Sequence, residues 1–181
     1  MNRKLRRITE TAVMLALLVG LQALTKPMGQ IVTGSFVNAV LAVTVLFAGL
    51  GSGITVALVS PVLAYVLGIA PQILTVPAIM VGNTVFVVML RCITGTKTAS
   101  LARRLTAWLS AAAAKFAVLY ALVVWLICGG LAPALMSQGL LKEPMLKALP
   151  AAFSWLQLVT ALIGGGIAML IVPVLKKALR K

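Results

Sequence analysis

The sequence predicts an all-α integral membrane protein with six transmembrane helices and both termini cytoplasmic. Three observations carry this. First, 62% of the 181 residues are hydrophobic and only 10% charged, against roughly 25% charged residues in soluble domains. Second, the apolar stretches are long enough for six spans of about 20 residues with short loops. Third, twelve of the sixteen Lys and Arg fall in three clusters: Arg3, Lys4, Arg6 and Arg7; Arg91, Lys97, Arg103 and Arg104; Lys176, Lys177, Arg180 and Lys181. Positive charge gathers on the cytoplasmic flanks of membrane helices, so all three clusters belong on that side. Lys26, Lys142 and Lys147 fall in the opposite loops, and Lys115 stands alone inside an apolar segment.

The expected spans are about 5–24, 36–50, 54–67, 75–91, 105–128 and 150–177, in a single domain covering 1–181. The Arg-rich start resembles a signal peptide but lacks a small-residue cleavage site, so it reads as an uncleaved first helix. Lys26-Pro27 and Gly29 end that helix, and a polar loop with Gln30, Thr33 and Ser35 follows. Gly49 to Gly53 reads as a tight cytoplasmic turn. Ser60-Pro61 should kink the third helix. The Gly68 to Gln72 connection is external. Thr75 is expected to cap the fourth helix with its hydroxyl, with Pro77 in the first turn. Glu143 lies with Lys142 and Lys147 in a long external loop, and the sixth helix begins at Pro150 and bends at Pro173. Cys92 and Cys128 fall near opposite membrane faces, too far apart for a disulfide.

The residue inventory excludes most chemistry. The chain has no His, and its only acids are Glu10 and Glu143. Carboxylate pairs, Ser-His-Asp arrangements and His/Cys metal sites therefore cannot be assembled, which argues against an enzyme and against a metal or other cofactor. Gly95-Thr96-Lys97-Thr98 imitates the end of a phosphate-binding loop, but Leu90 stands where its first glycine belongs. The net charge of +14 lies at membrane flanks and suits lipid headgroups rather than nucleic acid. Glu10 is one turn from Arg6 and reads as a helix-surface pair.

Lys115 is the informative residue. An ammonium at mid-bilayer costs roughly 2.5–3.5 kcal/mol on insertion scales, and such charges mark ligand sites or charge pairs. No span carries an acid beyond Glu10 at its cytoplasmic edge, so Lys115 points to a substrate bearing a carboxylate or another anion. The bland alternative is a lysine that snorkels or bonds backbone carbonyls. Asn83 should lie roughly 12 Å inward along the fourth helix, and Gln157 about 10 Å inward along the sixth with Ser154 a turn above it. These positions outline an outward-opening pocket between helices 4, 5 and 6, closed by loops bearing Gln72, Ser35 and Gln30, with Trp155 and Trp125 as aromatic walls. Against this, intramembrane amides also glue helices together, and tryptophans populate the interface belt. Ala12, Ala16, Gly20 and Ala23 form a small-residue stripe fit for close helix approach, internal or with another protein. Gly164-Gly165-Gly166 reads the same way, with internal packing favoured.

With these features the chain resembles a substrate-binding S component of an energy-coupling factor (ECF) vitamin transporter. The resemblance rests on size, six helices, the basic start leading into Ala12-xxx-Ala16, the polar segment into Gly34-Ser35-Phe36-Val37-Asn38, and Pro77 to Asn83 opening helix 4. It implies an S-component-like bundle in a prokaryotic plasma membrane. Such a subunit captures a micronutrient from outside under the helix 1–2 loop. It docks through the Ala12/Ala16 face on a transmembrane coupling (T) subunit, and two cytoplasmic ATPases drive it to topple and release substrate inside. With Lys115, an anion such as biotin, pantothenate, niacin, lipoate or folate suits better than cationic thiamine. Rival readings are a self-sufficient permease or anion carrier without ATPases, which the lack of an internal repeat weakens, a membrane assembly or lipid-binding scaffold, and lastly an intramembrane enzyme.

Overall fold

A computed structural model describes residues 3–69, 72–95 and 99–178; Lys97, Arg180 and Lys181 of the basic clusters lie outside them. Among the described residues the regular structure is entirely helical: α1 (Arg3–Thr25), α2 (Gln30–Phe47), α3 (Leu50–Val66), α4 (Val76–Thr94), α5 (Leu101–Leu119), α6 (Ala132–Ser137), α7 (Glu143–Phe153) and α8 (Trp155–Ala178). α5 continues as a π-helix over Tyr120–Gly130. Among the described residues five helices are long and apolar enough to cross a membrane, counting α5 with its π-helical extension; α3, also apolar, is shorter. The Arg6–Glu10 pair forms, with Arg6 Nε donating to Glu10 Oε1 at 3.0 Å. Both cysteines are free thiols.

Several boundaries differ from expectation, each for a local reason. The polar segment 30–35 is helix, not loop. Gly29, at φ 90°, turns the chain after the short 3₁₀ turn Lys26–Met28, and α2 starts at once. Its hydroxyls are spent on backbone: Thr33 Oγ1 donates to the carbonyls of Thr25 and Gly29, and Ser35 Oγ to that of Ile31 at 2.6 Å. Such back-bonding hides polar side chains inside a helix. The predicted turn at 49–53 shrinks because Gly49 alone, at φ 102°, reverses the chain. Gly53 instead lies inside α3, where an added Cβ would sit 2.8 Å from Val45 Cβ. Thr75 does not cap α4. Its hydroxyl turns back to the Gln72 carbonyl at 2.9 Å, while Pro77 occupies the first turn as expected.

The largest correction concerns 129–154. The expected loop folds into α6 and α7, and Pro150 lies inside α7 rather than at the start of the last helix. The break comes at Ser154, after which α8 begins at Trp155. Two apolar clusters result. The main one runs among α1–α5 and α8 around Leu41, Val56, Phe86, Leu90 and Ala161. A smaller one joins the π-helix, α6 and α7 to the start of α4 through Ala78, Val123, Leu141, Leu149 and Phe153.

Glycines set the closest crossings. A Cβ on Gly164 would lie 2.4 Å from the Ser35 carbonyl oxygen and 2.6 Å from Ala39 N, so α8 rests directly on the backbone of α2. Gly34 meets Thr160 from the other side at 2.9 Å. A Cβ on Gly165 would reach within 2.3 Å of the Trp108 ring, whose Nε1 donates to the Leu162 carbonyl at 3.0 Å. The triple glycine thus packs internally. In lipid, where apolar surface gains nothing from association alone, such backbone contact is what holds helices together.

Candidate functional site

A cavity of about 380 Å³ lies where the two clusters meet. Its walls are mainly apolar, from Val37, Ile69, Ile79, Leu119, Leu149, Ala152 and Phe153; its polar lining is Gln22, Lys26, Gln30, Thr33, Asn38, Gln72, Thr75, Asn83, Lys115 and Gln157. It deepens from the exposed Lys26 and Gln30 to the buried Asn38, Asn83 and Lys115. Among the described residues no Asp or Glu lines it.

The floor is built around Lys115, which is 3% exposed. Its Nζ donates to Asn38 Oδ1 at 2.6 Å and to Asn83 Oδ1 at 2.7 Å. The Phe86 ring centroid lies 5.6 Å away, giving a cation–π contact. α5 brings the lysine close because the buried residues that precede it on the helix, Ala107, Ala111 and Ala112, are all small. α4 does the same at Gly82, where a Cβ would sit 2.7 Å from Leu119 Cγ. Asn38 is held in turn, with Nδ2 donating to the Gly34 carbonyl at 2.9 Å and to Thr160 Oγ1 at 3.3 Å. Thus α2, α4 and α5 meet at one ammonium, and α8 braces Asn38 beside it.

The floor is short of acceptors. An ammonium has three N–H donors, and two are spent on the asparagines. Asn83 Nδ2 is buried without a partner. An unmet buried donor costs roughly 1–3 kcal/mol. The site therefore offers donors and positive charge, the requirements of an anion.

The rim is fastened by amides. Gln30 Nε2 donates to the Ala152 carbonyl at 2.6 Å, and Gln157 Nε2 donates to the same oxygen at 3.0 Å. That carbonyl stands beside the α7–α8 break, so the start of α2 is tied to the end of α7. Lys26 Nζ donates to the Gly68 carbonyl at 2.7 Å, joining the α1–α2 turn to the end of α3.

Of the residues singled out from sequence, the structure brings Lys115, Asn83, Gln157, Gln72 and Gln30 to this cavity. Three do not line it. Ser35 is buried against its own helix, Ser154 Oγ donates to the Ala151 carbonyl at the break, and Trp155 is 60% exposed on the outer face of α8. Trp125, at 78% exposure, also faces outward. Asn38 and Thr160 were missed as site residues. A usable signal existed: a span lysine with no acid must be met by amide oxygens, and Asn38 is the single amide within the apolar run of α2. Ala12, Ala16, Gly20 and Ala23 are all exposed on α1, and a Cβ on Gly20 would meet nothing within 4 Å.

A helical bundle with membrane-length apolar helices and a largely apolar cavity floored by a few convergent polar groups defines a small-molecule-binding membrane protein. The family described as "ECF transporter, substrate-specific component" matches the chain over residues 6–176, and the chain belongs to that family. It is a multi-pass membrane protein of the transport class. No curated protein and no solved structure matches it.

Proposed function

We propose that this chain captures a small anionic micronutrient in the Lys115 cavity and delivers it through an ECF-type importer. The observation that carries this reading is the floor: one buried ammonium, met by two amide oxygens and, among the described residues, no carboxylate, with unspent donors on two residues that line a cavity of about 380 Å³. A carboxylate there supplies the missing countercharge. Lys115 and Asn83 hold that group, Asn38 positions the lysine, and Gln72 and Gln157 line the path above.

The outward small-residue stripe of α1 supports docking through Ala12 and Ala16 on a transmembrane coupling (T) subunit, with two cytoplasmic ATPases powering release. In this reading α3 also crosses, at the short end of the length a bilayer requires. Six crossings put both termini and all three basic clusters on the cytoplasmic side of a prokaryotic plasma membrane.

Native mass spectrometry of the gently purified chain tests the reading. A bound carboxylate-bearing molecule, lost in Lys115→Ala, is the expected result. Tight binding that persists unchanged in Lys115→Ala sinks the role of the lysine. Uptake that continues when the coupling ATPases are inactivated would instead favour a self-sufficient permease.

A further inference from the structure

Two buried side-chain atoms lack a hydrogen-bond partner among the described residues: Asn83 Nδ2 and Gln72 Oε1. Both residues line the same cavity. Native interiors pair nearly all their buried polar atoms, so each exception calls for a partner from elsewhere. The two are of opposite kind, since an amide nitrogen donates and an amide oxygen accepts. The assignment at Asn83 is fixed by its neighbour. As an ammonium, Lys115 Nζ can only donate, so the atom facing it at 2.7 Å is Oδ1, and Nδ2 is left as the free donor. Asn38 is complete by comparison, both its oxygen and its nitrogen being engaged. The floor thus lacks acceptors, whereas the Gln72 wall lacks a donor.

We infer that the ligand is a monocarboxylate carrying a hydrogen-bond donor away from its acid end. The carboxylate bridges Lys115 Nζ and Asn83 Nδ2, the apolar middle lies along Val37, Ile79 and Leu119, and an N–H or O–H group meets Gln72 Oε1. A single negative charge suffices, because the one other cation among the described lining residues, Lys26, is exposed and bonded to the Gly68 carbonyl. This inference rests on the reading of the cavity as the substrate site and adds to it a polarity and an orientation.

The test uses the purified full chain and three matched probes: 6-acetamidohexanoate has both groups, hexanoate only the acid, and N-hexylacetamide only the donor. Affinities are read by thermal shift and equilibrium dialysis. 6-Acetamidohexanoate should bind roughly 5- to 10-fold tighter than hexanoate and more than about 10-fold tighter than N-hexylacetamide. Gln72→Leu should close the gap between the first two. Asn83→Asp leaves Lys115 an acceptor but sets a negative charge where the carboxylate belongs, so it should abolish hexanoate binding while the protein stays folded. The inference is overturned if N-hexylacetamide equals the acids, if the Gln72→Leu gap persists, or if none of the three binds. A neutral or cationic molecule bound in this cavity would overturn the polarity yet leave the substrate-site reading standing. A chain that retains no small molecule and supports no uptake with its coupling partners would remove both.

Discussion

α1 and α2 are neighbouring apolar helices with similar small-residue patterns and opposite fates. The most apolar window of α2 is 50% buried inside the bundle, that of α1 only 11%. On α2, Gly34 and the backbone at Ser35 and Ala39 are covered by α8, and Asn38 reaches Lys115. On α1, Ala12, Ala16, Gly20 and Ala23 face outward beside Val13 and Leu17, both well exposed. A small residue lets helices approach; whether another part of the same chain takes the place is decided by topology. α2 holds the site together, while α1 leaves a surface free for lipid or a partner.

Four variants would break or sharpen this contrast. The largest effect is expected from Gly164→Val, which drives a branched side chain into the α2 backbone; overpacking of this kind costs about 1–3 kcal/mol or more. It should lower the thermal midpoint in detergent and the yield of folded protein. Second, Lys115→Met removes the ammonium but keeps most of the stem. Ligand affinity should fall roughly 10- to 100-fold, the worth of a charge-assisted hydrogen bond, as measured by titration, while the fold survives. Third, Ala12→Leu with Ala16→Leu should reduce uptake by roughly 10-fold when a coupling subunit is present, by blocking close helix approach, yet leave ligand affinity within about two-fold. Equal loss of binding and uptake would show that the stripe serves the site rather than a partner. The smallest effect belongs to Gly20→Ala, which meets nothing and should change stability by less than about 0.5 kcal/mol.

Much of the site was legible because chemistry was scarce. With no acid in the spans beyond Glu10 near the start of α1, Lys115 had to find oxygens, and Asn83 sat at the right depth on the facing helix. Asn38 was hidden because the polar run before it reads as loop. Only in the folded chain do the hydroxyls of Thr33 and Ser35 turn back on their own helix and carry α2 to Gln30. Ser154 and Trp155 were placed in a continuous helix that in fact breaks between α7 and α8, which moves both away from the cavity.

Hydropathy and charge placement by themselves determined that this is a helical membrane protein, because each span satisfies its own backbone and its length is set by the bilayer. They also marked one buried charge that needs a partner, since the cost of placing it in hydrocarbon depends on residue type alone. Which oxygens answer that charge, which wall carries an unmet acceptor, and which small-residue stripe stays uncovered were decided by tertiary structure. Those outcomes depend on helix rotation and crossing, fixed by contacts such as Gly164 on Ser35 and Ala39 between residues far apart in the chain.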